Sequence, residues 1–220
     1  MKYYPVFMDM KGRDCLVVGG GPVGWRKASG LEKSGANVTV VSLQFSSEFD
    51  DISSRIVCCL KQYEKSDIQG KFFVFAATDK AALNRQIRQD AQAQNVLCNI
   101  ADSPGDSDFV LPSTLEQGDL VIAVSTSGSS PAVARTVKHR LAQIFGPEYE
   151  TFLMLMKNIR TKLLEEGHDP DGHKKMFYRF IEEDIPALIK AKDEKKINSV
   201  LNTVFGKQFN FQDLVSAKES

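Results

Sequence analysis

Cysteine, histidine and tryptophan are scarce in this chain, and net charge is absent. The 220 residues hold four cysteines, three histidines and one tryptophan, and 28 basic side chains balance 28 acidic ones. Zero net charge argues against a general binder of nucleic acid, because such binding rests on an excess of Lys and Arg. His139, His168 and His173 stand at no familiar ligand spacing, so no fixed metal site is expected. Cys15, Cys58, Cys59 and Cys98 make no C-x-x-C pair and lie in or beside apolar runs, so buried, reduced thiols are expected. No apolar stretch reaches the roughly 20 residues of a membrane span, and Met1 to Met10 lacks a signal-peptide layout. These absences predict a cytoplasmic protein with neither nucleic acid nor membrane as partner.

What is present is concentrated at one turn. The apolar strand Cys15–Val18 runs into Gly19-Gly20-Gly21-Pro22-Val23-Gly24, with glycines at the first, third and sixth positions of a G-x-G-x-x-G pattern. A helix is expected over Pro22–Ser34, Gly35 ends it, and Asn37–Val41 reads as the next strand. The glycine pattern alone is weak evidence. In the order strand, turn, helix, strand it becomes the context of dinucleotide binding. Gly19 permits the tight turn, Gly21 lets the backbone approach a pyrophosphate, and Gly24 lets helix pack on strand. The helix start supplies free N–H groups and the positive end of the helix dipole.

Further strands are expected at Arg55–Leu60, Phe72–Ala77 and Val96–Ile100, with a helix between Thr78 and Asn95. Strand and helix alternate as in a doubly wound parallel sheet, ending near Leu111. Beyond Pro112 the pattern changes. A strand at Leu120–Ser125 leads into Thr126-Ser127-Gly128-Ser129-Ser130, and Ser130 before Pro131 marks a helix start, N-cap then N1. That helix is expected to run to Phe145, where Gly146-Pro147 stops it. Residues 148–220 carry helical patterns at Phe152–Leu164, Met176–Ile181 and Ile197–Val204, which predicts a small helical domain.

Ligands of open α/β sheets bind beyond the carboxyl ends of the strands. That rule selects Gly19 to Gly24, Ser42-Leu43-Gln44, Ala77-Thr78-Asp79 and Ala101-Asp102-Ser103. The usual acidic ribose ligand is missing after the second strand, where Ser42 stands; no Arg follows to receive a 2′-phosphate, which favours NAD. Ser42 is either a ribose ligand or an ordinary loop residue. Asp102 is either a proton acceptor at the crevice or a turn-forming aspartate. The hydroxyls of Ser125, Thr126, Ser127 and Ser130, with Gly128, Arg135 and Lys138, either bind a polyanionic substrate or form a solvated, capped helix face.

Taken together these residues resemble the precorrin-2 dehydrogenase and sirohydrochlorin ferrochelatase family, which also forms the amino-terminal half of siroheme synthases. The landmarks are Tyr4-Pro5-Val6-Phe7, Cys15 to Gly24 with Arg26-Lys27-Ala28, Gly35 to Val40, and Ala76-Ala77-Thr78-Asp79 with Asn84. Cys98-Asn99-Ile100-Ala101-Asp102, Phe109 to Ser113, and Ser125 to Pro131 with Ala134-Arg135 complete them. The resemblance implies a Rossmann-type domain over 1–112, a dimerisation segment over 113–147 and a helical C-terminal domain over 148–220, assembled as a homodimer. It further implies NAD-dependent oxidation of precorrin-2 to sirohydrochlorin, then insertion of ferrous iron, a substrate, to give siroheme.

Asp102 falls on the family's catalytic aspartate, and the Ser125 to Pro131 loop and its basic helix become contacts for the tetrapyrrole's carboxylates. Gly24 stands where many members have Ala, an exchange expected to be harmless because both are small enough for the helix packing. Thr126 replaces a serine of some members and keeps the hydroxyl. The methyltransferase half of the larger synthases is expected to be lacking. Two rivals stay open: a dehydrogenase without chelation, and a noncatalytic NAD-sensing module, which would have no need of Asp102.

Overall fold

Five short runs rich in Val, Phe and Cys build the first half of the computed structural model, which describes residues 2–165 and 170–216. They are β1 (Asp14–Val18), β2 (Asn37–Ser42), β3 (Val57–Leu60), β4 (Phe73–Ala76) and β5 (Leu97–Ile100). All pair in parallel, in the order β3-β2-β1-β4-β5. Val17 lies opposite Val40 on one side and Phe75 on the other. The chain therefore leaves β1 toward one edge and returns to its other side, which puts the switch point between β1 and β4.

Helix α1 (Pro22–Lys33) and helix α2 (Ala81–Ala93) cover opposite faces. Alternation along each strand sorts the side chains between them. Cys15, Val17, Val38, Val40, Phe73 and Phe75 pack with Ala28 and Leu31 of α1, whereas Leu16, Val18, Val41, Val74, Ala76, Cys98 and Ile100 pack with Ile87 and Ala91 of α2. Both helices end in a left-handed residue, Gly35 (φ 81°) and Asn95 (φ 57°). The next amide reaches back in each case, Ala36 N–H to the Leu31 carbonyl at 3.1 Å and Val96 N–H to the Ala91 carbonyl at 2.9 Å. These Schellman stops close each helix and aim the chain at the next strand.

The thiols divide differently from expectation. Cys15 and Cys98 are buried, but Cys58 is exposed and Cys59 half-buried. β3 is an edge strand, so its apolar residues lack the second cover that β1 and β4 receive; Val57 and Leu60 are likewise exposed.

Contacts divide the chain between Leu111 and Pro112, and the expected segments 113–147 and 148–220 both fall in the second unit. β6 (Ser113–Gln117) and β7 (Leu120–Val124) form an antiparallel hairpin. Gly118 takes φ +56° at the first of its two loop residues, as tight hairpin turns require. Sequence reading missed β6 because its one buried apolar residue, Leu115, leaves no run to recognise. Then follow α3 (Pro131–Ile144), α4 (Glu148–Glu165), α5 (Pro170–Glu182), α6 (Ile185–Lys190), α7 (Glu194–Val204) and α8 (Phe211–Ser216). Phe152, Leu155, Ile159 and Leu163 set the buried stripe of α4, which packs with Phe180, Ile197, Leu201 and Phe209. Helices α6 and α8, six residues each, are too short to show a helical period and escaped the sequence reading. His168 lies outside the described residues.

Candidate functional site

The glycine turn is built by exclusion. A Cβ on Gly19, which sits at φ +121°, would strike the Ala77 carbonyl; one on Gly20 would strike the Gln44 carbonyl and the Ser42 side chain. One on Gly24 would strike the Gly19 carbonyl, which corrects the expectation that alanine is equivalent here. Helix and turn approach so closely that even a methyl group overlaps backbone. Gly21 differs, since a Cβ there meets nothing within 4 Å. The protein's own packing does not require that glycine, and the space in front of it is open to a ligand.

The polar groups of the turn are divided in the same way. Gly19 N–H donates to the Val41 carbonyl at 2.9 Å and Gly20 N–H to Ser42 Oγ at 3.0 Å, while the Gly20 carbonyl accepts from Ser46 N–H at 2.8 Å. The amides of Gly21, Val23 and Gly24 have no partner among the described residues, and Pro22 has no N–H to lose. Three free donors at the start of a twelve-residue helix form an anion cradle. Ser42 Oγ also accepts weakly from Gln44 N–H at 3.4 Å, so this serine braces the turn, and its hydroxyl hydrogen remains free to donate.

Leu43, 59% exposed, and Gln44 lie beside this brace at the carboxyl end of β2. On the same helix, Lys27 places its ammonium 5.5 Å from the Phe75 ring centroid and forms no ion pair among the described residues. Burial, then neighbouring Arg26, lowers its pKa.

After β4 the loop Ala77-Thr78-Asp79 is held by Asn84, which is 2% exposed. Asn84 Oδ1 accepts from the Thr78 hydroxyl at 2.6 Å and from Thr78 N–H at 3.2 Å, and Asn84 Nδ2 donates to the Thr78 carbonyl at 3.0 Å. The side chain of Thr78, expected among the cofactor ligands, is thus held by Asn84. Ala77 keeps its carbonyl against Gly19, and the Asp79 carboxylate has no hydrogen-bond partner among the described residues. Sequence reading used Asn84 as a family landmark without assigning it this loop-holding role; the further signal was a polar residue inside the apolar helical stripe that contains Leu83 and Ile87.

Asp102 follows β5 in a turn, exposed and without a hydrogen-bond partner among the described residues. The turn-forming alternative needs its carboxylate to accept from nearby amides, and no such bond is made there. The aspartate that does bind backbone is Asp108, whose Oδ2 accepts from Cys98 N–H at 2.9 Å.

In the second unit, the expected substrate loop uses several of its own hydroxyls. Thr126 Oγ1 donates to the Ser130 carbonyl and accepts from Ser130 N–H, both at 3.1 Å. Ser125 Oγ accepts from Ser127 N–H at 3.1 Å, and Ser130 Oγ caps α3 through Val133 N–H at 3.3 Å. Ser127 and Gly128 both take positive φ, 54° and 87°, within the turn closed by Ser129 N–H on the Thr126 carbonyl. The Ser127 hydroxyl and Gly128 N–H carry no bond, and neither Arg135 nor Lys138 has an ion-pair partner, among the described residues. Among those residues no three His, Cys, Asp or Glu side chains gather at metal-binding range.

The order 3-2-1-4-5, the glycine turn and its three free amides define a Rossmann-type dinucleotide-binding domain. A family model described as "Putative NAD(P)-binding" matches residues 6–113. The chain is a homologue of the siroheme synthases. It is 34% identical to the siroheme synthase of Photobacterium profundum over 74% of its own length and 35% of that relative. For that of Thioalkalivibrio sulfidiphilus the figures are 33%, 91% and 42%. For siroheme synthase 2 of Klebsiella pneumoniae they are 38%, 66% and 32%. The chain therefore spans about a third to two fifths of these relatives. Its fold matches the solved structure of SirC, a precorrin-2 dehydrogenase, with a TM-score of 0.74 at 24% identity, over 90% of this chain and 100% of that one. The expected fold class and family are both borne out.

Proposed function

We propose that this chain oxidises precorrin-2 to sirohydrochlorin with NAD and then inserts ferrous iron to give siroheme. One observation carries the reading. The sheet edge that holds three unpaired amides at the glycine turn also carries, after β5, a carboxylate that no described protein group engages. Relatives named siroheme synthase and a fold neighbour named precorrin-2 dehydrogenase support the choice of substrate.

The free amides and the open space before Gly21 fit a dinucleotide pyrophosphate. NAD, when bound, supplies the two-electron acceptor. Gly21, Val23 and Gly24 donate to its phosphate oxygens, Ser42 offers its one free hydroxyl hydrogen, and Leu43, Gln44, Ala77 and Asp79 line the strand ends. Asp102, with both oxygens unengaged, accepts the proton released as the substrate loses two electrons and two hydrogens. Iron insertion releases two protons from the ring nitrogens, and Asp102 takes them in turn and passes them to water. Ferrous iron is a substrate here, held by the ring it enters. Arg135, Lys138, the Ser127 hydroxyl and the Gly128 amide receive substrate carboxylates.

The protein acts in the cytoplasm as a homodimer. Support for the dimer comes from the hairpin and α3, where Val121, Val133, Val137 and Ile144 are 36 to 62% exposed on one chain.

Purified protein given precorrin-2 and NAD is expected to form sirohydrochlorin and NADH in equal amounts, followed by absorbance; no NADH above a protein-free control refutes the dehydrogenase. Sirohydrochlorin and ferrous iron without NAD test the second step separately. No acceleration over the spontaneous rate leaves a dehydrogenase only. Asp102→Ala should abolish turnover while NAD still binds; undiminished turnover removes Asp102 from the mechanism.

A further inference from the structure

Asp102 stands in a segment whose other polar side chains are all engaged in hydrogen bonds or ion pairs. Ser103 Oγ donates to Asp106 Oδ2 at 2.7 Å; Ser107 Oγ accepts from Ile100 N–H at 2.9 Å and donates to the Ser103 carbonyl at 2.9 Å. Asp108 N–H donates to the Cys98 carbonyl at 2.9 Å, and its carboxylate returns to Cys98 N–H, so residues 98 and 108 close the loop like a clasp. The remaining oxygen of Asp108 meets Arg88 Nη2 at 2.6 Å, while Arg88 Nε donates to the Asp106 carbonyl at 2.9 Å. One guanidinium on α2 thus grips the loop at two points. Their side chains are 23 and 25% exposed, which shields the pair in part from solvent screening.

No apolar anchor shares this work inside the loop. Asp102, Pro104, Gly105, Asp106 and Asp108 are exposed, and the first apolar contact downstream is half-buried Phe109, stacked on Phe73 at 4.6 Å. Position along 101–108 is therefore set by hydrogen bonds, of which the Arg88 pair ties the loop to a helix. The glycine turn hangs from β1 and shares none of these bonds. We infer that Arg88 and Asp108 are positioning residues that hold Asp102 in place for proton transfer without contributing to NAD binding. The inference rests on the role given to Asp102 above. Displacing a reacting group by about 1 Å can cost on the order of 100-fold in rate, which sets the scale of the effect.

The test compares Arg88→Met, Arg88→Lys, Asp102→Asn and the double variant Arg88→Met/Asp102→Asn in the full chain. Steady-state dehydrogenation, direct NAD titration and single-turnover rates at high enzyme concentration are measured for each. Arg88→Met should lower kcat about 10- to 100-fold with the NAD Kd and the KM for precorrin-2 changed less than about twofold, and Arg88→Lys should fall between it and the parent. In single turnover the double variant should be no slower than Asp102→Asn alone, because the clip acts through Asp102. An unchanged kcat in Arg88→Met overturns the inference. So does a loss of NAD affinity in proportion to the rate, or a further slowing in the double variant. Full turnover by Asp102→Asn removes Asp102 itself and the clip's role with it, which separates failure of the underlying reading from failure of this one.

Discussion

Replacing Gly24 with alanine sets helix propensity against packing. Alanine in a helix interior is favoured over glycine by about 1 kcal/mol. At Gly24, however, the added methyl overlaps the carbonyl oxygen of Gly19. That carbonyl cannot retreat freely, because Gly19 N–H is fastened to Val41 and Gly20 N–H to Ser42. Overpacking of this kind costs about 1–3 kcal/mol, and collision with fastened backbone belongs near the upper end, for a net loss of about 1–2 kcal/mol. The strain falls on the turn itself, so the free amides shift and NAD affinity should drop about tenfold, equivalent to about 1.4 kcal/mol.

Gly30 is the internal control. It lies in the same helix, and a Cβ there meets nothing within 4 Å, so Gly30→Ala should stabilise by about 0.5–1 kcal/mol and leave NAD binding alone. Trp25, the single tryptophan, follows Gly24 directly and reports urea unfolding of this unit by fluorescence. A Gly24→Ala protein as stable as the parent and equally able to bind NAD would refute the packing conflict, as would a shift of stability in the same direction by both substitutions.

Ser42→Ala strips Gly20 N–H of its partner, and a stability loss of about 1–2 kcal/mol with weaker NAD binding is expected from urea titration and calorimetry; unchanged values would deny the brace. Thr126→Val breaks both bonds to Ser130 and should raise the KM for precorrin-2, whereas Thr126→Ser should behave as the parent. Equal kinetics for all three would show that the brace is dispensable. Burial pushes the Cys15 and Cys98 thiols up from 9.0 to about 11, so they stay protonated while the unfolded chain ionises. Stability is then full below pH 9 and falls as pH rises toward 11, by about 2–3 kcal/mol per thiol. Urea unfolding at about pH 8 and 10.5 should show a steeper decline in the parent than in Cys15→Ala/Cys98→Ala, and parallel declines would contradict it.

Periodicity and punctuation sufficed for the sheet. Each strand from β1 to β5 is a bounded apolar run, α1 and α2 carry apolar stripes, and Gly35 marks a helix end because few residues tolerate its backbone conformation. The hairpin strand β6 was illegible because Leu115 is its one buried apolar residue, and the helices α6 and α8 because six residues are too few to repeat a helical period. The solvent exposure of Cys58 was hidden for another reason, since an apolar run reads alike in a central strand and an edge strand.

At the candidate site, sequence by itself determined where the glycine turn forms and which strand ends lie on its side of the sheet, because local backbone geometry demands glycine there and chain order sets the sheet. Tertiary structure alone decided how each polar group is used. Asn84 engages Thr78, Ser42 holds Gly20, and Arg88 with Asp108 clasps the loop that leaves Asp102 unengaged. These partners stand 6, 22 and 20 residues apart in the chain. Whether a hydroxyl or carboxylate is free depends on what folding brings within about 3 Å of it, which no local pattern records.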